Sequence, residues 1–171
     1  MIRTRFIDAA GAMLLCATFV HAQNATLKQG DQAPAALVQQ LSRSAPLTIG
    51  STSVWPVPNA VPLDEDGNVQ PNSTLVVRSS DQWIGLSRND LVVIYPDTAA
   101  VSAAAGGLAQ QIQAFPQMGM TVLHVSAFSG LLPLYQALSA KFPAARFDVP
   151  VRFVKIRTTR YNHSPSGAPH R

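Results

Sequence analysis

Cysteine and glutamate are almost missing from this chain: Cys16 and Glu65 are the only representatives of their types among 171 residues. One cysteine cannot close an internal disulfide, and Cys16 sits inside an N-terminal apolar run, so no thiolate is left for a cysteine nucleophile or a Cys-based zinc or iron–sulfur site. One glutamate means that a pair of tuned carboxylates would have to come from aspartates, most of which sit at turn-like positions, and this speaks against glycosidase-type chemistry. Only 13% of the residues are charged and the net charge is +4. That is too small an excess to argue for a nucleic-acid partner. The basic residues also gather at one end, since Arg146, Arg152, Lys155, Arg157, Arg160 and Arg171 all follow position 145. They read as a solvated basic end.

The motifs of several enzyme classes are absent as well. There is no Gly-x-Ser-x-Gly elbow to expose a serine, no His-Glu-x-x-His or His-x-x-x-His zinc spacing, and no Gly-x-Gly-x-x-Gly phosphate loop after a strand. His124 is read as a partly exposed strand residue, and Ser129, in AFSGLL, as a helix cap. The chain is therefore expected to be non-enzymatic, with no catalytic residue, cofactor or metal.

No apolar run reaches the roughly 20 residues that a membrane-crossing helix needs. The longest, Ala9–Val20, follows Arg3 and Arg5 and precedes Val20-His21-Ala22. A basic start, a short apolar core and a small residue at the last position are the parts of a cleavable leader, so residues 1–22 are read as a bacterial signal peptide. The mature chain is then expected to be exported, in the periplasm or secreted, without a membrane span.

What remains divides into three stretches. Residues 23–72 are rich in Pro, Ser, Asn and Gln, with one short helical candidate at Ala35–Arg43 and with Pro56, Pro58, Pro62 and Pro71 interrupting any strand. This stretch reads as a Pro-rich extended arm or linker. Asp66-Gly67, within the acidic triplet Asp64, Glu65 and Asp66, reads as a tight turn, because the triplet lacks the spacing of a calcium loop.

Residues 73–156 read as an α+β domain. TLVVRS and QWIGLS form a hairpin, and LVVIY at Leu91–Tyr95 has no polar interruption, as in a strand buried mid-sheet. Asp97 is placed to cap a helix whose apolar stripe runs through Val101, Ala105, Leu108, Ile112 and Phe115, with a distortion expected at Gly106-Gly107. The stretch Ile112–Phe115 can alternatively hold a short strand. A strand at Met120–Ser126 then turns Thr121, Leu123 and Val125 to one face. A helix beginning near Leu131, with Pro133 in its first turn, carries Leu134, Tyr135, Leu138 and Phe142 inward. The last strand alternates Phe147, Val149, Val151 and Phe153 inward, and Pro150 puts it at a sheet edge. Residues 157–171 lack any apolar period and read as a disordered basic tail.

This order fits a ferredoxin-like βαββαβ sandwich with an additional N-terminal hairpin. Over residues 90–155, the stretches DLVVIYPDTAAVSAAAGGLAQQ, MGMTVLHVSA and LLPLYQALSAKFPAARFDVPVRF resemble the propeptide, an inhibitor-like prodomain, of subtilisin-type serine proteases. The resemblance implies an inhibitor or folding assistant of a subtilisin-like protease. The sheet would pack on the enzyme, and Lys155, Ile156, Arg157, Thr158, Thr159 and Arg160 would lie in the protease cleft as an added strand. The chain departs from that family by ending where a catalytic domain would follow, so a free-standing propeptide-like protein and a truncated zymogen both remain open. Two other readings stand beside it: a non-enzymatic envelope protein-binding domain that docks through the Pro-rich arm, and a small enzyme on a parallel sheet with its site after Tyr95 or Ser126.

Overall fold

The computed structural model describes residues 26–153, which fold as α+β with three helices and two antiparallel sheets. Residues 1–22, read above as a signal peptide, and residues 157–171, read as a basic tail, lie outside that range. Among the described residues no helix is long and apolar enough to cross a membrane.

Helix α1 (Ala35–Leu41) precedes a five-stranded sheet ordered β1-β2-β3-β4-β9, made of β1 (Leu47–Ile49), β2 (Thr52–Pro56), β3 (Thr74–Arg78), β4 (Ile84–Ser87) and β9 (Val151–Arg152). The four-stranded sheet is ordered β6-β7-β5-β8, from β5 (Asp90–Ile94), β6 (Gln111–Phe115), β7 (Met120–His124) and β8 (Arg146–Asp148). Helices α2 (Thr98–Ala105) and α3 (Leu131–Lys141) connect its strands. Every pairing between these strands is antiparallel. The parallel-sheet enzyme reading therefore has no sheet to stand on.

The stretch expected to be an extended arm is instead built into the first sheet. The register Val54↔Arg78, Trp55↔Val77 and Pro56↔Val76 joins β2 to β3, and Leu47↔Val54 joins β1 to β2. The prolines do not prevent this because Pro56 is the last residue of β2 and Pro58, Pro62 and Pro71 fall in the loop after it. Strands of three and five residues also show too few alternations to announce themselves in sequence. The acidic triplet does form a turn: Leu63 bridges Val69, and Gly67 takes φ +84°.

That turn hangs on Asp64. Its carboxylate accepts from the Asn68 amide (2.9 Å), the Asp66 amide (3.0 Å) and Gln70 Nε2 (2.8 Å). The hydrogen bond from the Asn68 backbone, more than any other influence, holds its pKa below the ordinary 3.8. A depressed carboxylate pKa contributes stability above the unfolded value, and that contribution is lost as the pH falls through the lower folded value. A carboxyl NMR titration should place Asp64 below 3.8 and show the 63–69 turn loosening in the same acid range. Asp64→Ala should flatten that acid limb. Titration at or above 3.8 would contradict the assignment.

Two apolar cores hold the sheets. On one face of the first sheet, Leu75, Val77, Ile84 and Leu86 pack with Val57 and with Leu41 of α1. Its other face lends Ile49, Val54 and Val76 to a larger core with Leu91, Val93, Leu123, Val101, Leu131, Leu134 and Leu138. Tyr135 of α3 meets the Phe147 ring edge-on at 5.2 Å, fastening the helix to β8.

Several local expectations are corrected here. The helix after Asp97 is capped as read, with Asp97 Oδ1 accepting from the Ala100 amide at 2.8 Å. It stops at Ala105, however, and Gly107 at φ +83° turns the chain so that Ile112 and Phe115 enter β6. The stripe spacing continues past the glycines, yet Leu108 ends 51% exposed. Ser129 caps nothing: Gly130 holds the N-cap position of α3 without a side-chain hydrogen bond, after a 3-10 turn at Phe128–Gly130. The single last strand divides at Val149-Pro150, so that β8 edges the second sheet and β9 the first. Pro150, with no amide proton, sits at that crossing.

Candidate functional site

Strand β5 was expected to be buried on both faces, and it is not. Leu91 and Val93 are fully enclosed under α2 and α3, whereas Val92 is half-buried and Ile94 is 46% exposed. The cross-strand register extends that open side over the whole second sheet. Phe115, Met120, Ile94 and Arg146 form one row, Gln113, Val122, Val92 and Asp148 the next, and Gln111, His124 and Asp90 the third. Period-two alternation places all of these side chains on the face opposite the helices. None of Val92, Ile94, Phe115, Met120 or Val122 joins either core.

The apolar side chains of this face adjoin one another from Phe115 through Met120 and Ile94 to Val122 and Val92, and polar side chains flank them on β8, on β6 and in the third row. Arg146 and Asp148 stand on β8, and Gln111 and Gln113 on β6. Across the third row, His124 Nδ1 lies 2.9 Å from Asp90 Oδ1, with both side chains partly buried. An apolar patch flanked by polar side chains fits the anatomy of a protein-docking surface. His124 is the partly exposed strand residue that the sequence suggested. Asp90 was missed, because a cross-strand partner 34 positions away leaves no mark in local sequence.

At the Asp90 and Asp148 end, the face adjoins an open groove of about 720 Å³ where the chain crosses between the sheets. Arg88, Arg152 and Phe153 line its far side. Arg152 is steadied by its Nε donating to Gln29 Oε1 (3.1 Å), and the Arg78 guanidinium lies 3.9 Å over the Phe153 ring. Gly85 leaves the room for this, since a methyl there would stand 2.6 Å from Val151 Cγ1 and 2.7 Å from the Phe153 ring. Lys155, Ile156, Arg157, Thr158, Thr159 and Arg160 lie outside the described residues. The described chain ends at Phe153, which lines this groove on the side of the first sheet, and β9 runs antiparallel to β4, away from Asp90.

Among the described residues no three His, Asp or Glu side chains come together as a metal site. What the arrangement offers is a surface able to exclude water over its apolar rows and to orient a partner through charges at its border. No family model matches the chain, and comparison with curated proteins and with solved structures gave no match.

Proposed function

We propose that this chain is a propeptide-like binding protein for a subtilisin-type serine protease, acting as inhibitor or folding assistant. The open sheet face would lie on the enzyme, and residues 155–160 would enter its active-site cleft as an added strand. The observation that carries the reading is the uncovered apolar face of the second sheet. The chain order β5-α2-β6-β7-α3-β8, with spatial order β6-β7-β5-β8, supports it, because a ferredoxin-like βαββαβ unit has the same order. Its helices take one face and leave the other for a partner. The basic, then apolar, leader at residues 1–22 supports export to the periplasm or the medium as part of the same proposal.

The alternative of an envelope protein docking through its Pro-rich arm loses its motive, since residues 26–72 contribute α1, β1 and β2 to the folded body. An envelope partner docking on the open sheet face instead would give no inhibition in the following experiment.

Inhibition of a broad-specificity subtilisin by residues 23–171, compared with a version ending at Val154, tests the proposal. Strand addition by residues 155–160 would contribute a few hydrogen bonds at about 1 kcal/mol each. Removing them should weaken inhibition about 100-fold. Failure of both forms to slow the protease at micromolar concentration would overturn the reading.

A further inference from the structure

The second sheet has two edges, and they are treated differently. Beside β8 lies the β1–β2 turn: Gly50 presses on the Phe147 carbonyl, and Thr52 Oγ1 sits within hydrogen-bond reach of Asp148 Oδ1 (3.0 Å) and the Val149 carbonyl (3.1 Å). Along the outer edge of β6, among the described residues, no strand pairs. All five residues of β6 pair with β7 on one side, and Gln111, Ile112, Gln113 and Ala114 are exposed.

Natural sheets protect such an edge with a charge, a proline or a bulge. The strand Gln111–Phe115 has no charge and no proline, and Pro116 comes only after it. The lack of charge extends well beyond the strand, for no Asp, Glu, Lys or Arg occurs between Asp97 and Lys141. Exposed apolar side chains border it at both ends: Leu108 at 51% and Met118 at 62%, with Ile112 at 38% between them.

These features fit one occupant. We infer that β6 pairs antiparallel with β6 of a second copy of this chain, about a two-fold axis at Gln113, joining two four-stranded sheets into one of eight. In an isologous contact, residues near the axis meet their own kind, so any charge there would face its like. This stretch carries none. Pairing about Gln113 sets Ile112 opposite the second copy's Ala114 and Gln111 opposite its Phe115. It also brings the Leu108 end of one copy to the Met118 end of the other, because both lie five positions from Gln113. The open faces of the two copies then continue one another across the seam. The inference stands on β6 alone and does not depend on the identity of any partner.

Two five-residue edges bury less than the roughly 1,200 Å² of a firm interface, so the dimer should be concentration-dependent. Sedimentation equilibrium of the full-length chain is expected to show dimer at about 100 μM. Gln113→Lys, which puts like charges opposite each other, should weaken it about tenfold or more while leaving the melting temperature unchanged. In a Cys16→Ser background, Gln113→Cys should give a disulfide-linked dimer on mild oxidation, since facing residues of an antiparallel pair lie within disulfide reach. Gln39→Cys, on the exposed side of α1, should not. A monomer at every concentration, a dimer indifferent to Gln113→Lys, or equal cross-linking through positions 39 and 113 would each overturn the inference.

Discussion

Gly50→Ala is expected to lower stability by about 2–4 kcal/mol and the melting temperature by about 6–20 °C. Two costs add at this position. Gly50 has φ +60°, where a side chain costs about 1–2 kcal/mol. An added methyl would also overlap the Phe147 carbonyl oxygen and crowd Asp148 Oδ1 at 3.3 Å. The obstructing atom is backbone of β8, which is paired to β5 through Val93↔Phe147, so it cannot swing aside as a side-chain tip would. Relief must come from lifting the β1–β2 turn, and this pulls on Ile49, 1% exposed in the larger core. Gly67→Ala is the matched control, at φ +84° with nothing within 4 Å of the added methyl. It should lose only the backbone part, about 1 kcal/mol. Equal losses in thermal unfolding would show that the turn does not bear on β8 as described.

The second large effect concerns binding. On the proposed reading, in which the open face docks on a subtilisin-type protease, Val122→Arg is expected to weaken inhibition about 100-fold or more while leaving the fold intact. Val122 occupies the middle row of the open face, between Gln113 and Val92, outside both cores. An arginine there can extend into water in the free protein, so the folding cost stays near the ~1 kcal/mol range of strand preferences. In a complex that covers the face, the same guanidinium would be desolvated without a partner, at a cost of several kcal/mol. Gln39→Arg, exposed on α1 against the other sheet, should change neither property. Unaltered inhibition by the Val122 variant, measured alongside an unaltered melting curve, would remove the sheet face from the docking surface.

Local chemistry was readable wherever a residue acts on its neighbours in sequence. Asp97 announces a helix start because its carboxylate serves an amide three residues on. Pro133 places the start of α3 because the first turn alone tolerates a missing amide proton. The alternation of Thr121, Leu123 and Val125 with Val122 and His124 separated the two faces of β7, and packing buried the first of them. The β3–β4 hairpin followed from two β-branched runs and a short polar turn.

The sequence by itself therefore determined the strands and helices of the second half of the chain apart from where the helix after Asp97 ends and β6 begins, the edge position of the strands around Pro150, and the turn at Asp64–Gly67. Only the tertiary structure decided the rest. It drew the Pro-rich stretch into a sheet, because β2 gains its stability from β3, some 20 residues further on. It divided the last strand between two sheets, because Gly50 and Gly85 make room for the chain on either side of Pro150. It also chose which side of Leu-Val-Val-Ile to cover. An unbroken apolar run is compatible with burial on one face or on both, and the choice depends on where the helices and the other sheet pack. The candidate docking face exists because that packing used one side of β5 and left the other open.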